Sequence, residues 1–127
     1  MTERELLERT KQLALRIFKL VGALPQTIQG RAVAAQLIRS GTSVAANYQA
    51  ACRARSKPEF VAKLGVVEEE ADETAFWLEL IIETELLPAA KVKRLLTEAS
   101  EIVAIMASSK KTVAKSQFAN RKSQISG

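Results

Sequence analysis

Histidine is absent from the 127-residue sequence, and cysteine occurs once, as Cys52. The first absence removes the commonest general acid–base and the commonest metal ligand at neutral pH. The second excludes an internal disulfide, so no oxidising compartment is implied, and the two together exclude a structural zinc site within one chain. Three prolines and five glycines leave few places where regular structure can stop. Long apolar runs are also missing: Ile102–Ala107 falls far short of the roughly 20 residues that a membrane span requires. Met1–Lys11 is dense in charge and no apolar stretch follows it, so no signal peptide and a cytoplasmic location are expected. No cofactor is expected.

What is present is a soluble-type balance of 47% hydrophobic and 26% charged residues, enough for one domain with a real core. The charges fall in blocks. Residues 9–63 carry ten basic side chains against Glu59 alone, residues 64–90 carry eight acids and no base, and residues 91–127 carry eight bases against Glu98 and Glu101. Such blocks steer partners, or pair with each other inside a bundle or between subunits.

Apolar residues recur with helical period throughout. Thr2 and Glu5 form a capping box, and Leu6, Leu13, Ile17, Phe18 and Val21 trace one face up to Gly22 and Leu24-Pro25. A second helix is expected from about Gly30 to Arg55, with Ala34, Leu37, Ile38, Val44, Ala45 and Tyr48 facing inward. Ser40-Gly41-Thr42-Ser43 in its middle predicts a kink or a tight helix–helix contact, because glycine and hydroxyl side chains weaken a helix. Ser56-Lys57-Pro58-Glu59 is a second capping box with proline in the first turn. Phe60, Leu64, Val67, Ala71, Thr74, Leu78 and Ile81 then follow a seven-residue repeat suited to bundle packing, to about Leu86. Lys91–Val113 gives a fourth helix, and residues 115–127 read as a disordered basic tail. The expected fold is therefore all-α, an antiparallel up-down four-helix bundle over residues 1–114.

Few groups could carry chemistry. Glu69 and Glu73, or Glu70 and Glu73, share a helical face, but bundle metal sites draw on histidine as well as carboxylate, and none is available. Ser40, Thr42 and Ser43 have no base to activate them, and Cys52 reads as a small packing residue. No catalytic or metal site is expected. Phe76 and Trp77 are adjacent, so both cannot face one core, and the pair suggests an oligomer interface. The basic residues Arg53, Arg55 and Lys57 sit at a helix–helix turn, with Arg31 and Arg39 upstream and Lys63 downstream. Cations at such a corner suit phosphate contacts with RNA or DNA.

These motifs carry a resemblance. Arg39-Ser40-Gly41-Thr42-Ser43-Val44-Ala45-Ala46-Asn47-Tyr48, Ala51-Cys52-Arg53-Ala54-Arg55-Ser56, the pair Glu59-Phe60, Glu70-Ala71-Asp72-Glu73-Thr74 and Trp77-Leu78 resemble the four-helix-bundle proteins encoded in intervening sequences of bacterial 23S ribosomal RNA genes. That group is related to the accessory variability determinant of diversity-generating retroelements. The match covers roughly residues 10–110. It implies a ring-like homo-oligomer, a homopentamer arranged as a barrel, and in the retroelement relative a basic surface that binds nucleic acid and a reverse transcriptase. Glu69 departs from the basic residue that relatives carry, which leaves the corner at Arg53–Lys57 as the better candidate surface. Two functions compete: a non-enzymatic nucleic-acid-binding oligomer, and a protein-interaction scaffold whose charged blocks pair between subunits.

Overall fold

The computed structural model describes residues 1–126, with side chains described through Ser116. It contains four helices: α1 (Glu3–Val21), α2 (Ile28–Cys52), α3 (Lys57–Glu83) and α4 (Ala89–Ser126). Each start is capped as its sequence dictates. Thr2, Thr27 and Ser56 accept the N–H groups of Glu5, Gly30 and Glu59 at 3.1, 3.0 and 3.2 Å, satisfying donors that the first turn would otherwise leave unpaired. The Thr27 cap moves the start of α2 ahead of the expected Gly30.

Around the bundle, α1 packs on α2, α2 on α3, α3 on α4 and α4 on α1, and neither diagonal pair touches among the described residues. Short connections make neighbours antiparallel, so α1 and α3 run the same way. One end of the bundle gathers Glu3, the α2–α3 turn and Val113. The other gathers Pro25, Thr27, Thr84 and Leu86.

The core comprises fully buried Leu13, Ile17, Leu37, Val44, Leu64, Val67, Leu78, Ile81, Val92, Ile102 and Met106. Burial of each such side chain contributes about 1.5–3 kcal/mol. The repeat expected for α3 is buried throughout except at Phe60, which is half-buried. Phe18 is a correction: it is 56% exposed. The inner face of α1 steps through Leu6, Thr10, Leu13, Ile17 and Leu20, and Phe18, one residue beyond Ile17, is rotated about 100° away from it.

α2 runs unbroken through Ser40–Ser43. The expected tight contact is present, since a Cβ on Gly41 would stand 2.4 Å from Ile17 Cδ1. The buried hydroxyls of Ser40 and Thr74 share a hydrogen bond of 3.0 Å across the α2–α3 seam.

The end of α3 is a Schellman turn. The N–H of Glu85 donates to Ile82 O and that of Leu86 to Ile81 O, both at 3.1 Å, with Glu85 left-handed at φ 58°. Glycine adopts that conformation without the Cβ clash. Glu85→Gly is therefore expected to stabilise the bundle by about 0.5–1 kcal/mol, read as a higher denaturation midpoint in urea.

Past Val113 the backbone of α4 continues as helix to Ser126, through the stretch 115–127 expected as a disordered tail. No proline or glycine occurs between Pro88 and Gly127 to stop it. From residue 117 the side chains of that stretch lie outside the described residues, as does Gly127 altogether.

Candidate nucleic-acid interface

The turn between α2 and α3 is four residues long and held from both sides. The Arg53 N–H donates to Ala50 O at 3.1 Å, and the Ala54 N–H to Ala51 O at 3.0 Å. The Arg55 N–H, one residue before the Ser56 cap, donates to Glu59 Oε2 at 3.0 Å, so the Glu59 carboxylate reaches back to the turn as a capping-box glutamate does. With its backbone pinned, the turn projects Arg53, Arg55 and Lys57 into solvent, while Lys63 lies half-buried further along α3. A cleft of 400 Å³ beside the turn is bounded by Glu3, Cys52, Arg55, Lys57, Phe60 and Val113.

That cleft shows what the sequence pattern did not. Val113 brings α4 to the same end of the bundle as the turn, and its neighbours Lys111 and Lys115 are exposed. Helix lengths read at 1.5 Å per residue carry the signal, because a fourth helix starting at Ala89 is level with Lys57 after roughly 24–27 residues.

The six expected phosphate ligands do not form one surface. Arg53, Arg55, Lys57 and Lys63 share an end. Arg31 belongs to the first turn of α2 at the opposite end, some 33 Å from Arg53 along the helix. Arg39 lies midway and is engaged: its guanidinium pairs with Glu70 at 3.3 Å and with Glu73. The Trp77 indole N–H donates to the same Glu73 carboxylate at 3.1 Å, which holds Trp77 half-buried at the α2–α3 seam. Phe76, edge-on to Trp77 with centroids 4.9 Å apart, points outward and is 52% exposed.

Other acids are likewise tied to bases of neighbouring helices. Glu68 pairs with Lys110 at 2.7 Å. Arg9 pairs with Glu98 and with Glu101 at 2.7 Å, and the Glu98 hydrogen bond above all raises the Arg9 guanidinium pKa against the opposing effect of burial. Pairs of this kind contribute no more than about 1 kcal/mol each, but they cancel charge locally. Among the described residues, Arg53, Arg55 and Lys57 have no carboxylate within 4 Å of their cationic groups. The α2–α3 end thus presents three cations outside any ion pair of the described residues, with Glu3 on the rim of the same cleft.

Nucleophiles are poorly placed. Burial pushes the Cys52 thiol above its ordinary pKa, and burial also raises Tyr48 beside it, so neither is poised to ionise at neutral pH. Thr42 Oγ1 donates to the Ile38 carbonyl at 2.7 Å. Glu70 and Glu73 turn toward Arg39 while Glu69 faces solvent, and no three acidic or cysteine side chains converge among the described residues. Among the described residues, no helix is long and apolar enough to cross a membrane.

Fold and surface together define a four-helix bundle protein whose acidic helix is partly neutralised from both sides and whose α2–α3 end carries free cations. The chain belongs to the 23S rRNA-intervening sequence protein family, whose model matches residues 2–108. The resemblance carried by Arg39–Tyr48 and Ala51–Ser56 thus holds at the level of the family. The bundle is similar to the crystal structure of a protein of unknown function from the S23 ribosomal protein family of Bacteroides thetaiotaomicron VPI-5482. The two are 32% identical with a TM-score of 0.80, over 87% of this chain and 99% of that one. No curated protein matches the chain.

Proposed function

We propose that this protein is a non-enzymatic, homo-oligomeric nucleic-acid-binding bundle of the cytoplasm that grips a phosphate backbone with the α2–α3 end. One observation carries the reading: Arg53, Arg55 and Lys57 stand free on a pinned turn, while Arg39, Arg9 and Lys110 are each paired with glutamate. Lys63, Lys111 and Lys115 extend the same basic end. The ligand is RNA or DNA, because phosphate contacts alone do not distinguish the two. Side chains at a turn reach phosphates and supply no array for reading base edges, so binding is weakly sequence-specific. An oligomer multiplies such contacts along one nucleic acid.

Backbone binding releases counterions. Four phosphate contacts give an expected loss of affinity on the order of a hundredfold between 50 and 200 mM salt. Fluorescence anisotropy of a labelled structured RNA measures it. Affinity unchanged over that range would refute phosphate gripping.

A further inference from the structure

The inner face of α3 begins with an aromatic residue that the bundle only half covers. Phe60 heads the repeat that continues through Leu64, Val67 and Ala71, all three of which are buried. It packs against the core yet stays half-buried, because it stands in the first turn of α3 at the mouth of the bundle. There it forms one wall of the 400 Å³ cleft beside the α2–α3 turn. Cys52, Ala54 and Val113 add small or apolar surface, Arg55 and Lys57 stand at the edge, and Glu3 contributes the one carboxylate among the described residues. The start of α1, the turn and α4 thus meet around one aromatic ring.

An aromatic wall, flanking cations and a lone acceptor are the parts that hold an unpaired nucleobase. Aromatic side chains stack with bases splayed out of a strand, while cations take the phosphates on either side. We propose that this cleft receives one unpaired base of a nucleic-acid strand, stacked against Phe60, and that guanine fills it best. The slot rests on the phosphate contacts proposed for Arg53, Arg55 and Lys57 and adds a base to them. Its volume lies within the roughly 300–1,000 Å³ of clefts that enclose small molecules. A paired base enters only by leaving its duplex, so single strands, loops and bulges are preferred to blunt duplex.

The preference for guanine comes from Glu3. An ionised carboxylate accepts hydrogen bonds and donates none. The Watson–Crick edge of guanine carries adjacent N–H donors at N1 and N2, which match the two carboxylate oxygens. Adenine and cytosine offer an amino group beside a ring-nitrogen acceptor. Uracil and thymine offer one N–H between two carbonyl oxygens, which a carboxylate repels. Glu3 is exposed in the first turn of α1 and in no ion pair of the described residues, so no cation has to be displaced. One slot reads one position, in keeping with weak sequence specificity overall.

Anisotropy with the full chain at 50 mM salt tests the slot on three labelled probes: oligodeoxythymidylate, the same strand with one central guanine, and a blunt duplex of that length. The guanine strand is expected to bind about fivefold more tightly than the all-thymine strand, which has the same phosphates. Phe60→Leu keeps apolar bulk and removes the ring; it should weaken both single strands about tenfold and leave duplex affinity within about twofold. Glu3→Gln should abolish the guanine preference without weakening the thymine strand. A strand carrying 2-aminopurine in place of guanine should lose fluorescence on binding the wild type and keep it with Phe60→Leu. The guanine preference and the wild-type quenching stand even if urea denaturation shows Phe60→Leu to be poorly folded. Equal affinity for the two single strands, equal loss on strands and duplex with Phe60→Leu, or unquenched 2-aminopurine would overturn the slot. Affinity that still falls with added salt would then leave phosphate gripping standing alone, whereas salt-independent affinity or binding to no probe would refute both.

Discussion

Replacing Gly41 with leucine is expected to destabilise the bundle by about 3 kcal/mol, near the upper end of what overpacking a core costs. The reason is local. α2 crosses α1 so closely that even a Cβ at Gly41 would stand 2.4 Å from Ile17 Cδ1 and 3.3 Å from its Cγ2, and Ile17 is fully buried. An alanine methyl could be met by rotating the isoleucine tip, and alanine gains roughly 1 kcal/mol of helix propensity over glycine. Gly41→Ala is therefore far milder than Gly41→Leu, whose branched side chain forces the helices apart. Trimming the obstructing atom should show the coupling. Ile17→Val removes Cδ1, so Gly41→Ala and Ile17→Val together are expected to cost at least ~1 kcal/mol less than the sum of the two alone. Urea denaturation of the four proteins in the cycle measures this, and additive costs would contradict the close contact.

The second large effect concerns the basic end. Arg53→Glu/Arg55→Glu/Lys57→Glu is expected to weaken RNA binding by a hundredfold or more at 50 mM salt, since three attractive contacts become repulsive. Stability should change by no more than about 0.5 kcal/mol, because all three side chains are exposed. The turn itself is held by backbone bonds and by Glu59, which are untouched. Arg31→Glu is the matched control. It lowers the net charge by two at the opposite end of the bundle and should change affinity by less than about threefold, in keeping with screening beyond a Debye length. Equal losses in log affinity per unit of charge changed would mean that net charge, not the corner, governs binding.

Much of the architecture could be read from the residues, and the failures have physical causes. The caps at Thr2 and Ser56 and the repeat from Leu64 to Ile81 were legible because capping and heptad spacing are local rules. Gly41 was legible as a contact but not as a partner, since nothing in the spacing says that Ile17 is what it meets. Phe18 was misplaced because it adjoins Ile17 in sequence while the burying face turns past it. At the candidate site, the cluster Arg53–Lys57 was visible as adjacent charges on a capped turn. The separation of Arg31 and the engagement of Arg39 by Glu70 and Glu73 depend on which helix stands beside which, and composition does not encode that. Lys111 and Lys115 joined the site only through the length of α4.

Photocross-linking tests the central claim most directly. The wild-type chain is mixed at 50 mM salt with an RNA hairpin carrying 4-thiouridine, irradiated, digested and mapped by peptide mass. The account predicts adducts concentrated on peptides spanning Arg53–Lys63, with a second group around Lys111–Lys115. Adducts confined to the opposite end around Arg31 or to the acidic face of α3, or no adducts at all, would contradict it.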